Sequence, residues 1–221
     1  MASLMAALSL VCVAAITPGP NNFIVMNAAA GKGIRGALPA ISGVLLGASL
    51  LGLLTWCGVA TLLARHPAVQ QGISLAGACY LLCLAGGLLL RANAAGSGAV
   101  PGQRQSALPD SFPAIALFQF LNPKSLVLLT TLVSELSQAY SGLAALGILL
   151  ALLLTVSCLC LLLWATLGQV LSAHLSHPGR RCRFDRLMGL LLGLPALYLL
   201  LSNLPLSDLW LTHSGAFWLG L

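Results

Sequence analysis

Six long apolar runs, at about 4–30, 37–63, 68–90, 111–133, 142–171 and 187–203, occupy most of the 221-residue sequence. A helix crossing a bilayer needs roughly 20 apolar residues. Five runs reach that length, and the last, at 17 residues, falls just short. Only 6% of the residues are charged and 59% are hydrophobic, whereas a soluble domain averages about a quarter charged residues. A water-facing surface cannot be built from so few charges. The expectation is an all-α membrane protein of six transmembrane helices. A single transmembrane domain would cover 1–221, leaving no room for a sizeable soluble domain.

The placement of charge sets an orientation. Linkers after the first, third and fifth runs carry Lys32 and Arg35, then Arg91 and Arg104, then Arg180, Arg181, Arg183 and Arg186. The opposite side carries only Arg65. Eight against one predicts that those three linkers are cytoplasmic and both termini outside. The 180–186 cluster reads as a cytoplasmic loop. Basic residues scattered singly do not form the aromatic-laced basic face of a nucleic-acid binder, so no nucleic-acid partner is expected. The lipid bilayer is the expected surrounding partner. Residues 4–16 lack a preceding Lys or Arg, so they read as an uncleaved first span rather than a signal peptide. The apolar tail 204–221, with Asp208, Trp210, His213 and Trp218, reads as an interfacial anchor.

The stretch 91–110 is the longest polar linker and divides the chain near its midpoint. Two halves of three spans each, 1–98 and 106–203, must enter the membrane in opposite senses. Such 3+3 inverted repeats place a site at the midplane, on broken helices in matching positions. The first run contains Thr17-Pro18-Gly19-Pro20-Asn21-Asn22, and the fourth contains Asn122-Pro123-Lys124. Each proline removes a helical hydrogen bond. The freed carbonyls are expected at Ala14, Ile16 and Gln119, and in lipid such groups must face protein or water. Asn122 before Pro123 reads as a cap followed by a first helical residue, and Gly19 before Pro20 as a weaker version. Two helix N-termini then converge on one region and favour an anion. Lys124 adds a full positive charge there, at an insertion cost of about 2.5–3.5 kcal/mol. An anion site beside freed carbonyls suits a zwitterion. The candidate substrate-binding residues are Pro18, Gly19, Pro20, Asn21, Asn22, Gln119, Asn122, Pro123 and Lys124.

Other features mark other possibilities. Gly43-x-x-x-Gly47 and Gly189-x-x-x-Gly193 permit close helix packing and leave a homodimer open. Tyr80 could reach the site or sit at an interface. Seven cysteines without a Cys-x-x-Cys pair read as packing thiols, with a thiol-redox electron carrier as one alternative. A metal-ion exporter is another, but the acids Asp110, Glu135, Asp185 and Asp208 all fall at run edges, in linkers or in the tail. The sequence therefore calls for no cofactor, no metal and no enzyme active site.

Through Pro18-Gly19-Pro20-Asn21-Asn22 and Asn122-Pro123-Lys124, supported by Gly77-Ala78-Cys79-Tyr80-Leu81-Leu82 and Gly189 to Gly193, the chain resembles the LysE/RhtB family of amino-acid exporters. The resemblance covers residues 1 to about 203. It implies export of amino acids or their derivatives across the bacterial inner membrane, driven by the proton motive force. Many members carry an aspartate directly after the Pro-Gly-Pro, where this chain has Asn21; an acid able to hold substrate ammonium or a proton is thereby removed. The Asn-Asn form is similar to the branch that exports cysteine and O-acetylserine. The Trp-Lys common after the tyrosine motif is replaced by Gly86-Gly87.

Overall fold

The computed structural model describes residues 2–96, 109, 111–175 and 177–203. The midpoint linker from 97 to 108 and the tail 204–221 lie outside the described residues, as does the interfacial anchoring expected of that tail. Every element described is helical: α1 (Ala2–Ile16), α2 (Pro20–Trp56), α3 (Val59–Arg65), α4 (Pro67–Gly96), α5 (Phe112–Phe118), α6 (Pro123–Ala139), α7 (Gly142–Leu175) and α8 (Pro178–Ser202). Proline opens α2, α4, α6 and α8. There its fixed φ suits the helix and its missing N–H is one that no helical carbonyl would have taken.

Four helices, within α2, α4, α7 and α8, are long and apolar enough to cross a membrane. A fifth crossing forms if α5 and α6, bent by 62° at their junction, count as one. The chain is thus a multi-pass membrane protein, but its apolar runs do not map onto six uniform helices. The shorter α1 stops at Ile16, because Pro18 and Pro20 cannot continue it. Across the second junction, between Phe118 and Pro123, the chain bends instead of running straight through the fourth run.

The expected linker between the first and second runs is compressed to a sharp break at Gly33 inside α2. At 37 residues, α2 would measure about 55 Å if straight, nearly twice a hydrocarbon core. It is not straight: Gly33 is non-helical, at φ 71° and ψ 175°. The Ile34 N–H freed by this break donates to Gln169 Oε1 of α7 at 3.1 Å. The second run ends early, at the Cys57–Gly58 turn, where Gly58 adopts φ 96°.

The 180–186 cluster is corrected. It lies on the first turns of α8, which His177 caps by accepting from the Gly179 N–H at 3.3 Å. The helix is 25 residues long rather than the 17 of the apolar run. Asp185, read as an edge residue, is buried at 7% exposure and lies 3.9 Å from Arg181. Arg186 donates to Asn93 Oδ1 of α4 at 3.2 Å.

Packing follows small residues, as it must where lipid removes the hydrophobic drive between helices. The most extensive contacts are α2 on α7 and α4 on α8. A methyl group added at Gly43 would sit 2.9 Å from the Phe112 carbonyl of α5, and one at Gly47 would meet the Ala116 carbonyl. At Gly189 it would meet Leu89 of α4 at 2.9 Å. Both Gly-x-x-x-Gly motifs therefore serve contacts inside the chain. Gly168 of α7 abuts the Met26 carbonyl of α2, and Gly77 of α4 abuts the Leu121 carbonyl between α5 and α6. Leu129, Leu132 and Leu136 of α6 are fully buried with Leu149 of α7 and close the core around the second junction.

Candidate functional site

The two proline breaks meet. From the first, Asn22 donates both amide hydrogens across the gap, to the Ala15 and Thr17 carbonyls at 2.9 Å each. These carbonyls, rather than those of Ala14 and Ile16, are the ones that the site engages. The second break sends Lys124, whose ammonium donates to the same Thr17 carbonyl at 2.7 Å. One carbonyl with two lone pairs thus receives two donors. Gly19 has extended backbone and makes room for this reach: a methyl group there would lie 3.2 Å from Lys124 Nζ.

Gln119 ties the second break to the first and is fully buried. Its Nε2 donates to Asn21 Oδ1 at 2.9 Å and to the Ile115 carbonyl at 3.3 Å. Its Oε1 accepts from Asn21 Nδ2 at 2.9 Å and from the Ser125 hydroxyl at 3.0 Å. All four positions of the amide are filled. The Ile115 carbonyl can only accept, so it orients the Gln119 amide, and Gln119 in turn orients Asn21. Asn122 caps α6 by accepting the Lys124 N–H at 3.1 Å, and its Nδ2 reaches Asn21 Oδ1 at 3.4 Å. The carbonyl of Gln119 accepts from the Asn122 N–H at 3.4 Å.

Beside this network lies a cavity of about 70 Å³. That is several times the roughly 10–15 Å³ needed to admit a single water, so the space is open to a small solute. Gly19, Pro20, Asn21, Asn22, Asn122, Lys124 and Ser125 form its polar wall. Val44 and Ala48 of α2, Leu128 and Leu129 of α6, and Leu153, Ser157, Cys160 and Leu161 of α7 are among those forming the rest. Of the nine residues expected from the sequence, six line this cavity. Gln119 stands behind it as a brace. Pro123 opens α6 without lining it, and Pro18 lines a smaller cavity of about 10 Å³ with Trp164 and Met188. Tyr80 packs against Phe118 with ring centres 4.9 Å apart and planes tilted by 43°, which makes it a support for the second break.

Sequence reasoning missed Thr17, which acts through its carbonyl, and Ser125, one residue past the quoted motif. It also missed the whole contribution of α7. Ser157 and Cys160 lie in a helix that is apolar on every side, so no amphipathic stripe singles out their face.

Apolar helices of membrane-crossing length, with two helix breaks that converge on a shared cavity, are the architecture of a membrane transport protein. The chain belongs to the family of LysE type translocators, whose model matches residues 12–203. It is similar to the cysteine/O-acetylserine efflux protein of Salmonella choleraesuis (strain SC-B67), with 33% identity over 174 residues, 76% of this chain and 84% of that protein. The protein of the same name from Salmonella typhi is 31% identical over the same span. The leucine efflux protein of Salmonella typhimurium is 30% identical over 112 residues, 51% of this chain and 52% of its own length. No solved structure matches it.

Proposed function

We propose that this protein exports small neutral amino acids or their derivatives from the bacterial cytoplasm across the inner membrane, driven by the proton motive force. The observation that carries the reading is Lys124, held at 2.7 Å from the freed Thr17 carbonyl on the wall of a cavity between two helix breaks. An ammonium group on a freed carbonyl is the contact that a substrate ammonium would make. An incoming amino acid exchanges with it: the substrate ammonium takes the carbonyl, and the released Lys124 pairs with the substrate carboxylate. The site carries one cation and no carboxylate among the described residues that line it, so it favours a net-neutral zwitterion over lysine or arginine. Relatives named for efflux of cysteine, O-acetylserine and leucine fit that class.

The six-span, 3+3 inverted repeat is part of this reading. If α1 and the start of α2 correspond to α5 and α6, the remainder of α2 corresponds to α7, and α4 to α8. The packing of α2 on α5 then mirrors that of α7 on α1, and α2–α7 and α4–α8 are pairs of equivalents. Positive φ recurs at the two corresponding turns, Gly33 at 71° and Gly142 at 50°. Both termini lie outside the cytoplasm in this arrangement. Reporter fusions at positions 97 and 179 then read cytoplasmic and one at 138 external; reversal of any two defeats the topology.

Counterflow in proteoliposomes against a panel of amino acids tests the transport reading. Small neutral amino acids exchange and their amides and decarboxylated amines do not; in net transport driven by an imposed proton gradient, a protonophore collapses accumulation. Competition by amines equal to that by amino acids would remove the carboxylate from the mechanism.

A further inference from the structure

The two breaks account for the charged ends of an amino acid and leave its side chain unread. The part of the cavity not made by the breaks comes largely from α7. Leu153, Ser157, Cys160 and Leu161 fall at i, i+4, i+7 and i+8, one face of that helix. Leu154, Leu159 and Leu163, on other faces, are exposed at the apolar surface.

Within that face Ser157 is the one hydroxyl. Many hydroxyls along these apolar helices return their proton to a carbonyl one turn back, although Ser49 of α2, buried without a partner among the described residues, does not. Thr130 donates in this way to Leu126 at 2.9 Å, Ser137 to Val133 at 2.5 Å and Thr155 to Ala151 at 2.6 Å. This is the ordinary way to satisfy an alcohol away from water. The Ser157 hydroxyl makes no such bond among the described residues, and it faces the cavity. Cys160, one turn on, presents a thiol to the same space, a soft group that both donates and accepts weakly. Across from them Ala48 is small, while Val44, Leu153 and Leu161 make the remaining contact apolar.

We propose that this face of α7 reads the substrate side chain, and that Ser157 with Cys160 selects a short side chain carrying a hydroxyl or thiol over a branched aliphatic one. The inference rests on the amino-acid export reading and adds the residues that set specificity. A hydroxyl or thiol on the substrate's β-carbon gives Ser157 the partner it lacks. A leucine side chain would fill the space and strip water from Ser157 without replacing it, leaving a polar group unpaired. Sites built to hydrogen-bond a substrate reject the analogue that cannot.

The experiment compares serine with 2-aminobutyrate, in which a methyl group replaces the hydroxyl, using the full chain in proteoliposomes. The readout is the ratio of the two KM values within each variant, so differences in reconstitution cancel. The unmodified protein favours serine. In Ser157→Ala that preference shrinks about 3- to 10-fold, the size of one neutral hydrogen bond, and Ser157→Thr retains it. A second measurement needs no change at Ser157. With Cys160 as the only cysteine, saturating serine slows its modification by a charged methanethiosulfonate, and an equal concentration of a non-transported sugar does not. An unchanged KM ratio in Ser157→Ala, or labelling of Cys160 indifferent to serine, overturns the inference even while amino acids are still transported. A protein that exchanges no amino acid at all defeats the export reading itself.

Discussion

At the first break the helix restarts behind Gly19, which offers no side-chain cap, whereas at the second Asn122 accepts the Lys124 N–H. The first break presents carbonyls, those of Ala15 and Thr17, and keeps them in place with Asn22. The second presents the cation. Two breaks built from the same proline grammar are therefore complementary rather than duplicate: one accepts and the other donates. A site made from two identical breaks would hold an anion or a cation. One made from unlike breaks offers a partner to each end of a zwitterion, as the proposed export reading requires. This division holds only if Lys124 can be removed from the second break without loss of the bundle, and its removal is the severest test.

Lys124→Ala lowers efflux by about a hundredfold, the worth of a charge-assisted contact. The protein still reaches the membrane, because deleting a buried charge eases insertion. Lys124→Arg keeps partial activity: the charge stays, but a planar fork replaces a compact ammonium beside Gly19. Efflux from cells with matched membrane levels checks both. Normal export by Lys124→Ala makes the second break structural and ends the comparison.

Next in size are the glycines that brace each side from the other half of the chain. Alanine at Gly77 must push against the Leu121 carbonyl at the second break, and alanine at Gly168 against the Met26 carbonyl beyond the first. Backbone cannot yield as a flexible side chain can, so each costs about 1–3 kcal/mol. Gly72 and Gly147 have open space at the same place, and alanine there is neutral or stabilising. Thermal melting in detergent separates the pairs. Loss at Gly77 alone would show that the second break depends on its brace more than the first.

Much of this site was legible because proline, asparagine and lysine are conspicuous inside apolar runs. Single prolines are carried inside helices at Pro39 and Pro195, but Pro18 and Pro20 flanking Gly19, and Pro123 behind the cap Asn122, mark true breaks. The helix boundaries were less legible. Hydropathy counts Lys32, Gly33 and Arg35 as a linker, whereas the chain compresses the break to the single non-helical residue Gly33, with one N–H handed to Gln169. Likewise Arg180 to Arg186 look like a loop but ride on a helix, since long basic side chains can reach the interface from its first turns. The wall made by α7 was illegible for a different reason. In lipid the outward face is as apolar as the inward one, and the pattern that reveals a core face in water disappears.

Asn21 sharpens the comparison at the next scale. Its Nδ2 donates to Gln119 Oε1, whose orientation is fixed by the Ile115 carbonyl and Ser125. Asn21→Asp places a carboxylate oxygen against that acceptor, and efflux falls about tenfold at neutral pH. A protonated aspartic acid can donate again, so the loss is smaller in acid and grows as pH rises through the carboxyl range. A pH profile of efflux that stays flat in Asn21→Asp would mean that Gln119 turns over freely and does not lock the breaks together.

The smallest effect belongs to the second glutamine of the fold. Gln169 caps the Ile34 N–H at the Gly33 bend, as Gln119 bridges the two breaks, but Gln119 is fully buried and Gln169 is exposed. An unpaired N–H costs about 1–3 kcal/mol only where water cannot replace the lost partner. Gln169→Leu should thus lower stability by under about 1 kcal/mol, since water can reach Ile34, whereas Gln119→Leu strands Asn21 and Ser125 and costs the fuller amount. Melting both variants beside the unmodified protein gives the ratio directly. Equal losses would mean that the bend at Gly33 is as sealed from water as the breaks. The first half would then contain two dry interruptions, Pro18 to Pro20 and Gly33, and the second half only one.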